Sequence, residues 1–165
     1  MRQKRLLPTI LALPLCLAIS SATSEPQASI KVTGLAPHPL SLTVESIAAM
    51  PHVTLTTKDR SGKELTYSGV SVRAILDQAG VPSTTQMRNG AVALALVVEA
   101  TDGYRAVFSL TEIDAQSPDR PVLLADQRDG KPLNAQEGPF RLIAPQDQRP
   151  TRWVRQVTTL RIAKP

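Results

Sequence analysis

The chain has 165 residues, with 19 lysines and arginines against 14 acidic residues and a formal net charge of +5. Its single cysteine, Cys16, excludes an internal disulfide framework, and two histidines 14 positions apart (His38 and His52) match no zinc spacing. Three of the positive charges (Arg2, Lys4, Arg5) stand at the very start, and without them 16 basic residues face 14 acidic ones. That balance argues against a nucleic-acid binder, which concentrates basic residues on one face.

The start has the three parts of a secretory leader. The basic residues run into an apolar stretch from Leu6 to Ile19, followed by the small residues Ser20 to Ser24. The stretch is interrupted by Pro8 and Pro14 and is shorter than the about 20 residues a membrane span needs. The expectation is a cleavable signal over 1–24, a single domain over 25–165, and export, in a bacterium to the periplasm, with no stable membrane insertion after cleavage. Lys4-Arg5 is not a twin-arginine pair, so the chain is expected to cross unfolded. Cys16 leaves with the leader, and the mature domain relies on core burial alone.

The elements follow in order. Ile30–Val32 and Leu40–Leu42 read as strands around a Pro37-His38-Pro39 turn. Thr43 caps a short helix ended by Pro51, and His52–Lys58 alternates with period two. Glu64–Tyr67 pairs back across the Arg60–Lys63 turn. Ser71 caps a helix with Val72, Ile75, Leu76 and Ala79 on one face, ended by Gly80. Ala91–Glu99 reads as a central strand buried on both faces. Asp102-Gly103 turns into a strand over Tyr104–Ser109, and Thr111 opens a helical turn to Asp114. Val122–Leu124 and Phe140–Ile143 are strands on either side of the Arg128–Lys131 hairpin turn, and a last strand ends near Ile162. The sum is an α+β domain, a strand-rich mixed sheet with short helices.

There is no Gly-rich phosphate loop and no G-x-S-x-G elbow. Four segments of the second half do carry information: DGYRAVFSLTEI from Asp102, LLADQRDGKPL from Leu123, EGPFRLIAP from Glu137 and RWVRQV from Arg152. With GVSVRAILDQAG from Gly69, their order and spacing resemble the molybdopterin-binding domain of the sulfite-oxidase-type oxidoreductases. The resemblance runs from about Ile30 to Ala163.

That resemblance implies a role for three residues. Tyr104 matches the tyrosine that in active relatives stands beside the metal and contacts substrate. Arg141 and Arg152 match basic residues that help hold the pterin and its phosphate, a task suited to a guanidinium fork. Trp153 is expected to plug the core. Those enzymes also hold molybdenum through a cysteine upstream of the tyrosine strand, and no cysteine follows Cys16 here. The reading is therefore an exported, metal-free, non-catalytic binding module with no cofactor expected. It would take a small anionic ligand near Arg141 and Arg152, or report to a membrane sensor or redox partner. The alternative is a molybdopterin-dependent oxidoreductase with a non-cysteine metal ligand.

Overall fold

A computed structural model describes residues 28–59, 61–86, 93–115 and 119–164. The expected leader over 1–24 lies outside them, as do Ala91 and Val92 of the apolar stretch. Among the described residues no helix is long and apolar enough to cross a membrane.

Two sheets of five strands form the domain. The first holds β1 (Ser29–Gly34), β2 (Leu40–Thr43), β5 (Ala95–Ala100), β6 (Arg105–Ser109) and β10 (Val157–Ala163), in the order β2-β1-β10-β5-β6. It is mixed, because β1 and β10 run parallel while the other neighbours are antiparallel. The second holds β3 (Val53–Lys58), β4 (Glu64–Ser71), β7 (Leu123–Arg128), β8 (Lys131–Pro132) and β9 (Arg141–Ile143), all antiparallel, with β7 pairing to β4, β8 and β9. Among the described residues there are three short α-helices, α1 (Val44–Ala48), α2 (Val72–Gln78) and α3 (Leu110–Asp114). This is the strand-rich α+β domain that the patterning implies.

The main core lies where Leu96, Val98, Leu160 and Ile162 of the first sheet meet Val70, Leu124 and Leu142 of the second, with Ile75 and Leu76 of α2. A smaller core covers the other face of the second sheet, built from Leu55, Tyr67, Leu123, Ala125 and Ile143. Burial on both faces explains why Leu123-Leu124-Ala125 is continuously apolar. Trp153 packs against both cores, as a plug would.

The apolar Ala95–Ala100 stretch is an inner strand between β10 and β6, with Leu96, Val97 and Val98 all buried, as its pattern implies. Local chemistry departs from expectation at two points. Ser71 opens α2 without a side-chain cap, and the Val72 N–H donates to the Val122 carbonyl at 2.9 Å. At α3 the cap is Ser109, whose Oγ accepts from the Glu112 N–H at 3.0 Å, and Thr111 lies inside the helix.

A bulge fixes one further contact. The register of β4 against β7 runs Ser68–Gln127 and then Gly69–Ala125, so Asp126 is the extra residue. Its carboxylate turns to His52, whose Nε2 lies 3.1 Å away while Nδ1 donates to the Met50 carbonyl at 2.7 Å. Two accepting partners complete the doubly protonated ring. Burial pulls the His52 pKa down, but the Asp126 hydrogen bond, the Met50 carbonyl and the Asp126 charge outweigh it and raise it above its ordinary 6.5. A raised folded pKa adds stability that is complete below about 6.5 and lost as pH climbs through the folded value. The urea midpoint should therefore fall between about pH 6 and 8, and His52→Gln should flatten that slope.

Gly69 makes the bulge possible. A Cβ there would lie 2.1 Å from the Leu124 carbonyl oxygen and 2.5 Å from the Ala125 Cα. Backbone cannot retreat as a side-chain tip can, so Gly69→Ala should cost about 3 kcal/mol and lower the melting temperature by about 6–12 °C.

Candidate functional site

The loop from Leu133 to Phe140 builds the site. Asn134 Oδ1 accepts from the N–H groups of Gln136 and Glu137 at 3.0 and 3.1 Å, and its carbonyl accepts from Gly138 at 2.8 Å. This Asx-type turn sets the direction of Glu137. One Glu137 oxygen accepts from Arg128 Nη1 of β7 and the other from Arg141 Nη1 of β9, each at 2.6 Å. Arg141 Nη1 also donates to the Tyr67 hydroxyl at 3.1 Å.

Arg141 is enclosed by aromatic rings. Its guanidinium carbon lies 5.5 Å from the Tyr67 ring centre and 5.8 Å from that of Trp153. The two rings meet edge to face at 6.1 Å, and Trp153 Nε1 donates to the Ala144 carbonyl at 2.8 Å. Arg141 Nε is buried without an acceptor. Burial works against the Arg128 charge, but the Glu137 charge and then Tyr67 outweigh it and hold its pKa above the ordinary arginine value.

Two clefts flank Arg141. The larger, of about 560 Å³, is lined by Tyr104, Gln136, Arg155 and Gln156 together with Arg141 and Trp153. The other, of about 460 Å³, lies towards Lys58, Arg128 and Glu137, and Arg141, Pro150 and Trp153 line both. Tyr104 is 49% exposed, with its hydroxyl donating to the Thr151 carbonyl at 2.6 Å. The Tyr104 proton is thus committed to backbone, leaving the oxygen free only to accept.

Arg152 goes elsewhere. It forms ion pairs with Glu112 of α3 and Asp147, and its guanidinium stacks on Phe108 at 4.3 Å. Hydrogen bonds to Asp147 and then Glu112 hold its pKa above the ordinary arginine range. The structure thus brings Tyr104 and Arg141 to one cleft and places Arg152 outside the lining of both.

Arg155 and Gln156 were not singled out by sequence. Arg155 is exposed on the larger cleft, and among the described residues no carboxylate pairs with it. Gln156 sits at φ +50°, a conformation uncommon for a residue with a side chain. It is held there because its N–H donates to the Glu137 carbonyl, its own carbonyl accepts from Thr101, and its Nε2 donates to the Ala135 carbonyl. In R-W-V-R the first arginine was the natural choice. The second one reaches the cleft, because the chain turns through a 3-10 segment at Pro150–Arg152 before β10.

The comparisons agree with this architecture. Residues 18–164 match the family model described as oxidoreductase molybdopterin binding domain. The chain belongs to that family. Among solved structures it is similar to the sulfane dehydrogenase SoxCD from Paracoccus pantotrophus, with a TM-score of 0.65 and 21% identity. That match covers 82% of this chain and 38% of the other, so the chain spans well under half of that protein's length. No curated protein sequence matches.

The family implies a molybdopterin, and the donor set decides whether a metal-bearing one fits. Among the described residues there is no cysteine and no group of three histidines, cysteines or carboxylates placed to hold a metal. Arg141, the residue matched to pterin binding, already faces Glu137. The described residues therefore offer no protein thiolate for a molybdenum centre.

Arg152 supports structure at the end of the first sheet. Arg152→Ala should cost about 1–2 kcal/mol in a denaturant titration, through lost stacking and partly screened ion pairs.

Proposed function

We propose that the chain is exported, loses its first 24 residues, and acts as a metal-free, non-catalytic binding module on the sulfite-oxidase-type fold. Its ligand is a small anion taken into the cleft between Tyr104 and Arg155, and the bound state is read by a membrane sensor or a redox partner protein. The observation that carries this reading is Arg155, an exposed guanidinium on a cleft of about 560 Å³ with no carboxylate partner among the described residues. A guanidinium gives an oxyanion two parallel charge-assisted hydrogen bonds. The basic leader followed by an apolar stretch supports export. The absence of a cysteine after Cys16 supports the metal-free assignment.

Two measurements test it. A panel of small anions is screened by thermal shift, where a ligand at 100 times its Kd adds about 2.7 kcal/mol, or about 5–10 °C. Arg155→Ala should remove that shift, and an undiminished shift in the variant rejects the cleft as the site. A native mass spectrum of the exported protein should give the bare chain from Glu25 onward. A mass excess matching a molybdopterin would instead support the oxidoreductase alternative.

A further inference from the structure

Two unlike charges face the larger cleft without meeting. Asp102 and Arg155 are both exposed and both line it, and among the described residues neither forms an ion pair. The backbone nevertheless sets them side by side. β10 and β5 pair through Val157 and Ala100, and one residue further on the Thr101 N–H donates to the Gln156 carbonyl at 3.1 Å. Asp102 follows Thr101 and Arg155 precedes Gln156, so the two stand on neighbouring chain segments at the end of the first sheet. Opposite charges so placed ordinarily pair across strands. Here they stay apart, at the point where Gln156 takes φ +50°.

The bonding capacity that remains divides the cleft into two halves. Asp102 Oδ1 accepts from the Tyr104 N–H at 2.9 Å, which sets the direction of the carboxylate and leaves Oδ2 for another donor. The Tyr104 hydroxyl has given its proton to the Thr151 carbonyl, so its oxygen also can only accept. These two groups suit an ammonium and offer nothing to an anion. Arg155 supplies only donors, and Arg141 on the same cleft already faces Glu137. A plain anion would gain at Arg155 and be repelled by Asp102. A molecule carrying both charges uses both halves, and the cleft of about 560 Å³ is of small-molecule size.

We propose that the ligand of this cleft is a zwitterion, a small amino-carboxylate whose carboxylate meets Arg155 and whose protonated amine meets Asp102 Oδ2. The Tyr104 oxygen accepts a second N–H of the same amine. This rests on the anion contact proposed at Arg155, and adds to it a cationic half that a simple anion lacks.

The probes are glycine, β-alanine and γ-aminobutyrate, each set against the carboxylate of equal length without the amine: acetate, propionate and butyrate. Kd is read by calorimetry on the full purified chain. At least one amino-carboxylate should bind about fivefold more tightly than its amine-free partner, the upper range for a solvent-exposed charge pair. Asp102→Asn, which keeps an acceptor for the Tyr104 N–H, should erase that advantage without weakening the plain carboxylate. Asp102→Ser, which also retains a side-chain acceptor, should do the same and serves if the first variant does not fold. Equal affinity within every matched pair, or an advantage that survives in both folded Asp102 variants, overturns the zwitterion. Plain carboxylates bound with no amine advantage, and lost in Arg155→Ala, would leave the anion site standing while this proposal falls. Binding that Arg155→Ala leaves unchanged would overturn both.

Discussion

Glu137 lies between two guanidiniums, and through them one carboxylate ties the 133–140 loop to β7 and β9, with Tyr67 bringing in β4. Burying three charges together is costly, and such clusters rarely add much net stability. Their effect is on geometry, because removing one member leaves another charge buried and uncompensated. The aromatic pair of Tyr67 and Trp153 shares the task by presenting ring faces to Arg141. Trp153 in turn joins the two cores. The walls of both clefts follow from this group.

Two backbone irregularities hold the surrounding frame. The bulge at Asp126 lets a carboxylate reach out of β7 to His52, and it needs Gly69 opposite because a side chain has no room there. Gln156 at positive φ joins the loop carrying Glu137 to the turn after β5 through hydrogen bonds at Glu137, Ala135 and Thr101. A strained residue persists only where its surroundings over-determine it. Both irregularities border the polar clusters.

Membership of the family fixes the architecture but not the chemistry, since function resides in the particular groups a fold presents. Here the tyrosine hydroxyl is bound to a backbone carbonyl, one matched arginine faces an internal carboxylate, and the other stacks at the end of the first sheet. The groups left open to solvent on the larger cleft are different ones, Arg155 foremost.

Most of the fold was legible in the chain. Period-two alternation marked β3, helical spacing marked α2, and the continuous apolar run at Leu123 marked a doubly covered strand, because burial imposes these patterns locally. Tyr104 and Arg141 were reachable through the order of four short segments. Arg155 was not, because the two arginines of R-W-V-R look alike until the turn at Pro150–Arg152 sends one to α3 and the other to the cleft. Nor could composition reveal that Glu137 is the partner of Arg128 and Arg141. The three lie at 128, 137 and 141, and which charges meet is decided by the pairing of β7 with β9 and by the Asn134 turn. Hydrophobic pattern is a property of neighbours along the chain, whereas charge pairing and cleft lining depend on where distant segments are brought together.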